Sequence, residues 1–410
     1  MPNTKDVNEE TKVINNTEID KRRENKKNTK MRITIVCVAA AVFVFLVIFF
    51  TMGGYEKILD FVGIESDVSV TPTVISIEAQ IKGNVILAGN QGTTIVYDEQ
   101  GVTGYGTDGK WKWNEKCSVS NPAVFDCGDF VVVADVGGTA AYAFNKDGQV
   151  WKYGSQEKIK SVFGKGKYVC IIHEEKEYSS AATVYEYDSK TSSLKEKFTR
   201  KFGSYYMLTG AISNDGKQMV LSGVYSESGV ASGIISFLRM SDGEIFSNSN
   251  TEQNAYVKVF YTADNKVFAV NSDSVKVIYK TLSVSTGDDY EKTLWSRDGK
   301  QEKIIDADIV DGKYCVAAIG SENSVKAVLK GFDSDGEESL NIEIDGNITG
   351  VDSVGETFMV YTQKLARLYN SRGFLIGTAE AGFAISKAVC ADNRHIGICG
   401  EDKLSAASFE

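Results

Sequence analysis

The sequence predicts an all-β protein: an eight-bladed β-propeller closed by N- and C-terminal strands and preceded by one transmembrane helix. Three observations predict it. A turn signal recurs eight times at near-regular spacing. The segments between those turns read as short strands. One uncharged apolar run near the N-terminus is long enough to cross a bilayer.

Residues 1–30 come first and are rich in Asn, Lys, Glu and Thr. Such a segment buries too little apolar surface to offset ordering entropy, so it reads as a disordered cytoplasmic tail. Its basic cluster serves as a topology signal; contact with anionic lipid headgroups is the alternative.

The span is predicted at 31–53. Ile33 to Met52 reads ITIVCVAAAVFVFLVIFFTM, with no charge and no Pro or Gly. At about 1.5 Å per residue, such a helix covers about 30 Å of hydrocarbon. Lys21, Arg22, Arg23, Lys26, Lys27, Lys30 and Arg32 crowd its N-terminal side, opposed by Glu24. That bias predicts a single-pass protein in the cell membrane, N-terminus inside and bulk extracellular. A cleaved signal peptide is the alternative. The long preceding segment, the length of the run and the lack of a small-residue site in TMGGYEKIL oppose it.

A juxtamembrane stalk follows at 54–70, where Ile58, Leu59, Phe61 and Val62 suggest a short amphipathic turn. The propeller is predicted over 71–410. Past Met52 the chain carries 36 basic and 49 acidic residues, a formal charge near −13. Broad electrostatic binding to nucleic acid is thereby disfavoured.

Within the propeller, runs such as DFVVVADV, KYVCIIHE and GIISFLRM are short and rich in β-branched and aromatic residues. A tight turn precedes a strand at Gly92, Gly128, Gly166, Gly216, Asn265, Gly312, Gly355 and Asn393. The successive spacings are 36, 38, 50, 49, 47, 43 and 38. A period near 45 with about four strands is the signature of a propeller blade. Gly or Asn suits such turns because they often need positive φ. A second turn falls before the outermost strand, as in TDGKWKW, KDGQVW, SDGEIF, SDGEESL and SRGFLI.

The last repeat has three strands, in FAISKAVC, RHIGIC and KLSAASF. Its fourth is expected from TPTVISIEA (Thr71 to Ala79), so that the ring closes with a strand from each end and the span is tied to the closure seam. A seven-bladed ring is the alternative, because repeats four and five are long.

The D-G-x-x-W ends DGKWKW and DGQVW resemble the blade ends of PQQ-like and WD40-like propeller repeats. Together with the basic tail, the single span, the SNPAV segment (Ser120 to Val124) and the eight repeats, they make the chain similar to the DUF5711 family, membrane-anchored propellers of Gram-positive bacteria. The resemblance covers roughly residues 30 to 410. It implies a fold and a surface location; the family has no assigned chemistry.

Chemistry is sparse in the sequence. His173 and His395 are the only histidines. A multi-histidine metal site is excluded, and both are expected to be structural or solvent-facing. Cys37 lies in the span; Cys117, Cys127, Cys170, Cys315, Cys390 and Cys399 follow without C-x-x-C spacing. They read as buried free thiols, with disulfides as the alternative for an exported domain. The vicinal cysteines of quinoprotein dehydrogenases are missing, and Trp111, Trp113 and Trp151 fit packing between blades. DSDGEE (Asp333 to Glu338) lacks the EF-hand spacing and coincides with a hairpin turn. HEEKEY (His173 to Tyr178) and GDDYEK (Gly287 to Lys292) are expected in longer, solvated connections.

The leading expectation is a non-enzymatic, membrane-anchored extracytoplasmic propeller that docks a protein or a cell-envelope component through its connections. No catalytic, cofactor-binding or metal residue and no small-molecule substrate is assigned. The second is a glycan or cell-wall binding module using Tyr178, Tyr205, Tyr206, Tyr225 and Tyr290 as exposed loop aromatics. The third is an enzyme, which would need a carboxylate-based site in the propeller funnel.

Overall fold

A computed structural model describes residues 70–410, apart from 78, 80, 82, 84, 228, 252–254, 281–288, 298, 300 and 322–325. The predicted tail, the span and all but the last residue of the stalk lie outside the described residues. No helix among the described residues is long and apolar enough to cross a membrane.

Eight four-stranded antiparallel sheets make up the described chain. In sequence numbers the blades are 86–115, 122–154, 159–202, 205–251, 258–296, 303–345, 348–380, and finally 387–408 joined by 73–77. Seven blades use consecutive strands, the first of each lying innermost. In the eighth, strand Thr73–Ile77 lies outermost against Leu404–Ser408, in antiparallel register from Thr73 opposite Ser408 to Ile77 opposite Leu404. Ile77 then packs with Leu87, Val96, Val389 and Leu404 in one cluster shared by the last blade and the first. The ring therefore closes through strands from both ends, with no unpaired long edge.

Blade number is eight and not seven: each repeat holds one four-stranded sheet, and the fifth does so although its strands have only four to seven residues. The third and fourth blades contain strands of ten and eleven residues, such as Tyr178–Asp188 and Gln218–Glu227. Alternating apolar residues fill the spaces between sheets; Phe144, Phe237, Phe268, Phe332 and Phe358 are fully enclosed.

Seven of the eight signalled turn residues have φ between +53° and +81°. Asn393 does not: there the Asp392 carboxylate accepts the N–H groups of Arg394 and His395 at 2.8 and 2.9 Å, so the side chain makes the turn. The same turns also tie blades together. Gly92 N–H donates to Ala391 O, Ala263 N–H to Gly312 O and Asp311 N–H to Gly355 O, all at 2.7–2.8 Å.

Three expectations are corrected. HEEKEY is not a long connection: His173 and Glu175 end one strand, Tyr178 begins the next, and the two form a tight hairpin. GDDYEK is described only from Asp289, and Tyr290–Ser296 is a strand. Trp111 does not pack between blades; it is 64% exposed, whereas Trp151 is 2% exposed and Trp113 stacks 5.8 Å from Phe144 in the next blade.

Candidate functional site

The innermost strands of blades two to eight surround a cavity of about 450 Å³ at the centre of the ring. Lys258 begins the inner strand of blade five, Asp306 and Asp308 lie in that of blade six, Asp352 and Ser353 in blade seven, and Lys387 begins that of blade eight. Asp126 ends the inner strand of blade two.

These groups bridge blade to blade. Lys258 Nζ donates to Asp306 Oδ1 at 2.6 Å and to the Ala307 carbonyl at 2.8 Å. Asp306 Oδ2 accepts the Val351 N–H of the next blade at 3.0 Å. Ser353 Oγ lies 2.9 Å from Asp308 Oδ2 and 2.8 Å from the Ile309 carbonyl. Asp352 Oδ2 accepts the Cys390 N–H of the last blade at 2.6 Å.

Burial raises the Asp308 carboxyl to about 6, against the nearby Lys258 charge and the bonds from Ile309 and Ser353. Burial, and then the charge of Asp308, raise Asp352 to about 8. Burial also raises Asp126. The two carboxyls of blades six and seven titrate together and carry a proton into the neutral range. The Ser353 hydroxyl has one proton for its two acceptors, Asp308 Oδ2 and the Ile309 carbonyl. Burial alone would depress Lys258, but the charges of Asp306 and Asp308 override it and hold the ammonium above its ordinary value. Chemically, the cavity offers a proton-holding carboxyl pair beside a fixed ammonium. Among the described residues, no group of three His, Cys, Asp or Glu could hold a metal ion.

Sequence reasoning assigned none of these residues. The available signal was an Asp two to four residues before the turn glycine in three repeats: Asp126, Asp308 and Asp352. An isolated Asp before a turn reads as turn chemistry, and only ring closure brings the three to one cavity.

The starts of the inner strands carry a second pattern. In blades three to eight a buried apolar residue is followed by an exposed one at the start of the inner strand. The buried set is Ile159, Met207, Tyr256, Ile304, Ile348 and Ile385. The exposed set is Lys160, Leu208, Val257, Ile305, Thr349 and Ser386. In blades three, four, six and seven the exposed residue is a β-bulge. Three consecutive blades place apolar residues there: Leu208, Val257 and Ile305 are 41%, 62% and 36% exposed.

The sequence-predicted residues fall differently. His173 is buried, its ring nitrogens 2.8 Å from Thr183 Oγ1 and 2.7 Å from Glu174 O. His395 Nδ1 lies 2.8 Å from Asp392 Oδ1. The six cysteines are free thiols, all buried except half-buried Cys117. Tyr178, Tyr205, Tyr206, Tyr225 and Tyr290 lie in strands, not loops. Only Tyr178 and Tyr206 are exposed; Tyr205 packs edge-on to Tyr225 at 5.8 Å.

A family model described as a family of unknown function (DUF5711) matches residues 69–406. No curated protein matches the chain. Among solved structures, BamB from Moraxella catarrhalis superposes with a TM-score of 0.52 at 13% identity, over 82% of this chain and 98% of its own. Sqt1 from Saccharomyces cerevisiae superposes at 0.56 and 9%, over 83% and 99%. Sqt1 from Chaetomium thermophilum, bound to the N-terminus of a ribosomal protein, superposes at 0.53 and 12%, over 81% and 98%. At these identities the likeness is one of fold.

Proposed function

We propose that this chain, which belongs to the DUF5711 family, is a protein-interaction scaffold: a propeller anchored by the Ile33–Met52 segment, held outside the cell membrane, that docks a partner protein of the envelope. The observation that carries the reading is the set of exposed apolar residues Leu208, Val257 and Ile305 at the starts of three consecutive inner strands, of which Val257 also lines the cavity. The fold does not need apolar residues there, since equivalent positions hold Lys160, Thr349 and Ser386. Exposed apolar surface that folding does not require is characteristic of a docking site. Propellers of similar fold include one solved with a protein N-terminus bound.

Recovery of full-length protein from membranes, beside a variant with Leu208→Gln, Val257→Gln and Ile305→Gln, tests this. The wild type should repeatedly retain one envelope partner that the variant loses at unchanged Tm. Repeated recovery of none, or equal recovery by the variant, rejects it. Labelling of cysteines introduced at Glu65 and Asp402 from outside intact cells tests the topology; protection of both would overturn it.

The carboxyls in the cavity favour a second reading, acid–base catalysis on a small molecule. Its mark would be an activity whose pH profile is lost in Asp308→Asn.

A further inference from the structure

We propose that Trp111 and the cleft beside it bind a neutral sugar ring, in a site separate from the cavity and independent of the scaffold reading. The outermost strand of each of the first seven blades carries one extra residue against its neighbour. That bulge sends the residues on its two sides to opposite faces of the sheet. In blade one, Trp113 lies opposite Gly104 and Trp111 opposite Tyr105.

Trp113 takes the inward place. It stacks on Phe144 with its ring planes 8° apart, and its Nε1–H donates to the Lys146 carbonyl at 3.0 Å. Gly104 makes the room, since a Cβ there would lie 2.3 Å from the indole. Trp151 and Trp295 occupy the same inward position in blades two and five.

Trp111 takes the outward place. The equivalent residues of other blades are Gln149, Glu196, Ile245, Thr293, Glu338 and Leu375. Four are polar, so the fold tolerates a hydrophilic side chain there. A large aromatic that is 64% exposed at this position serves something other than folding.

Beside it opens a cleft of about 210 Å³, with Trp111, Tyr105, Thr103, Asn114, Asp98 and Gln100 on its walls and the apolar side chains of Ala79, Ile81 and Val96 among them. Asn114 Nδ2 donates to Thr103 Oγ1 at 2.8 Å, which fixes the amide at the cleft wall. A flat aromatic face flanked by an amide, a hydroxyl and a carboxylate suits a ligand with one C–H face and a rim of hydroxyls. A pyranose has both. The formal charge near −13 of the chain past Met52 weighs against a polyanionic polymer, so the sugar is neutral.

Titration of the full chain in detergent with chitotetraose and cellotetraose, followed by calorimetry and tryptophan emission, tests the site. At least one tetrasaccharide should bind and shift the emission. Trp111→Ala should weaken it about tenfold or more at unchanged Tm, Trp111→Tyr should keep most of it, and Asn114→Ala should weaken it. Absence of binding by both sugars, or undiminished binding by Trp111→Ala, overturns the proposal. So does binding of a proline-rich peptide at Trp111 by a protein that ignores both sugars.

Discussion

The carboxylate of Asp352 accepts the backbone N–H of Cys390 at 2.6 Å, joining the inner strands of the seventh and eighth blades. Its proton is held into the neutral range because burial and the charge of Asp308 both oppose ionisation. A folded-state pKa above the unfolded value near 4 stabilises fully below that value, and the contribution is lost as pH rises through the folded pKa near 8. Stability of the protein should therefore fall between pH 5 and pH 9. Asp352→Asn keeps an acceptor for Cys390 and removes the titration. It should flatten the slope and be more stable than wild type at pH 9, on the order of 2 kcal/mol. Urea unfolding at the two pH values measures this; parallel slopes would refute the assignment.

Closure depends on Thr73–Ile77. Deleting residues 71–79 exposes the Leu404–Ser408 edge and opens the cluster around Ile77. We expect loss of a single cooperative transition and a lower Tm in calorimetry. Release by cutting before Tyr55 should leave a soluble domain with the parent Tm; an unfolded fragment would show the seam to be elsewhere.

Two tryptophans two residues apart should differ sharply. Trp113→Ala removes the stack on Phe144 and the bond to Lys146, costing roughly 3 kcal/mol. Trp111→Ala should fall within about 0.5 kcal/mol of wild type. Similar losses for both would mean that Trp111 is covered.

Lys258 neutralises the carboxylates of blade six. Lys258→Met should destabilise by about 2 kcal/mol, an amount discounted because the side chain is 40% exposed. It should also raise the pKa of Asp308. Adding Asp306→Asn should recover part of the loss. A double mutant no better than the single would show that the pair does not couple.

Blade number and the closure strand were legible in the chain because both rest on local chemistry. Turns that need positive φ must carry Gly or a small polar residue, as at Gly128 and Asn265, and a three-stranded last repeat must find its fourth strand elsewhere. The cavity acids were not legible. Asp308 and Asp352 are separated by a whole blade in sequence, and nothing near either one announces the other.

By itself, then, the sequence predicted an eight-bladed ring, with seven blades as the alternative, closed by a strand within Thr71 to Ala79, through turn spacing and binary pattern. Tertiary structure decided which side chains face one another. A β-bulge is a property of two paired strands, and one unpaired residue reverses the face of everything beyond it. That register turns Trp113 inward and Trp111 outward, and the same device puts the exposed Leu208 and Ile305 at bulges in the inner strands.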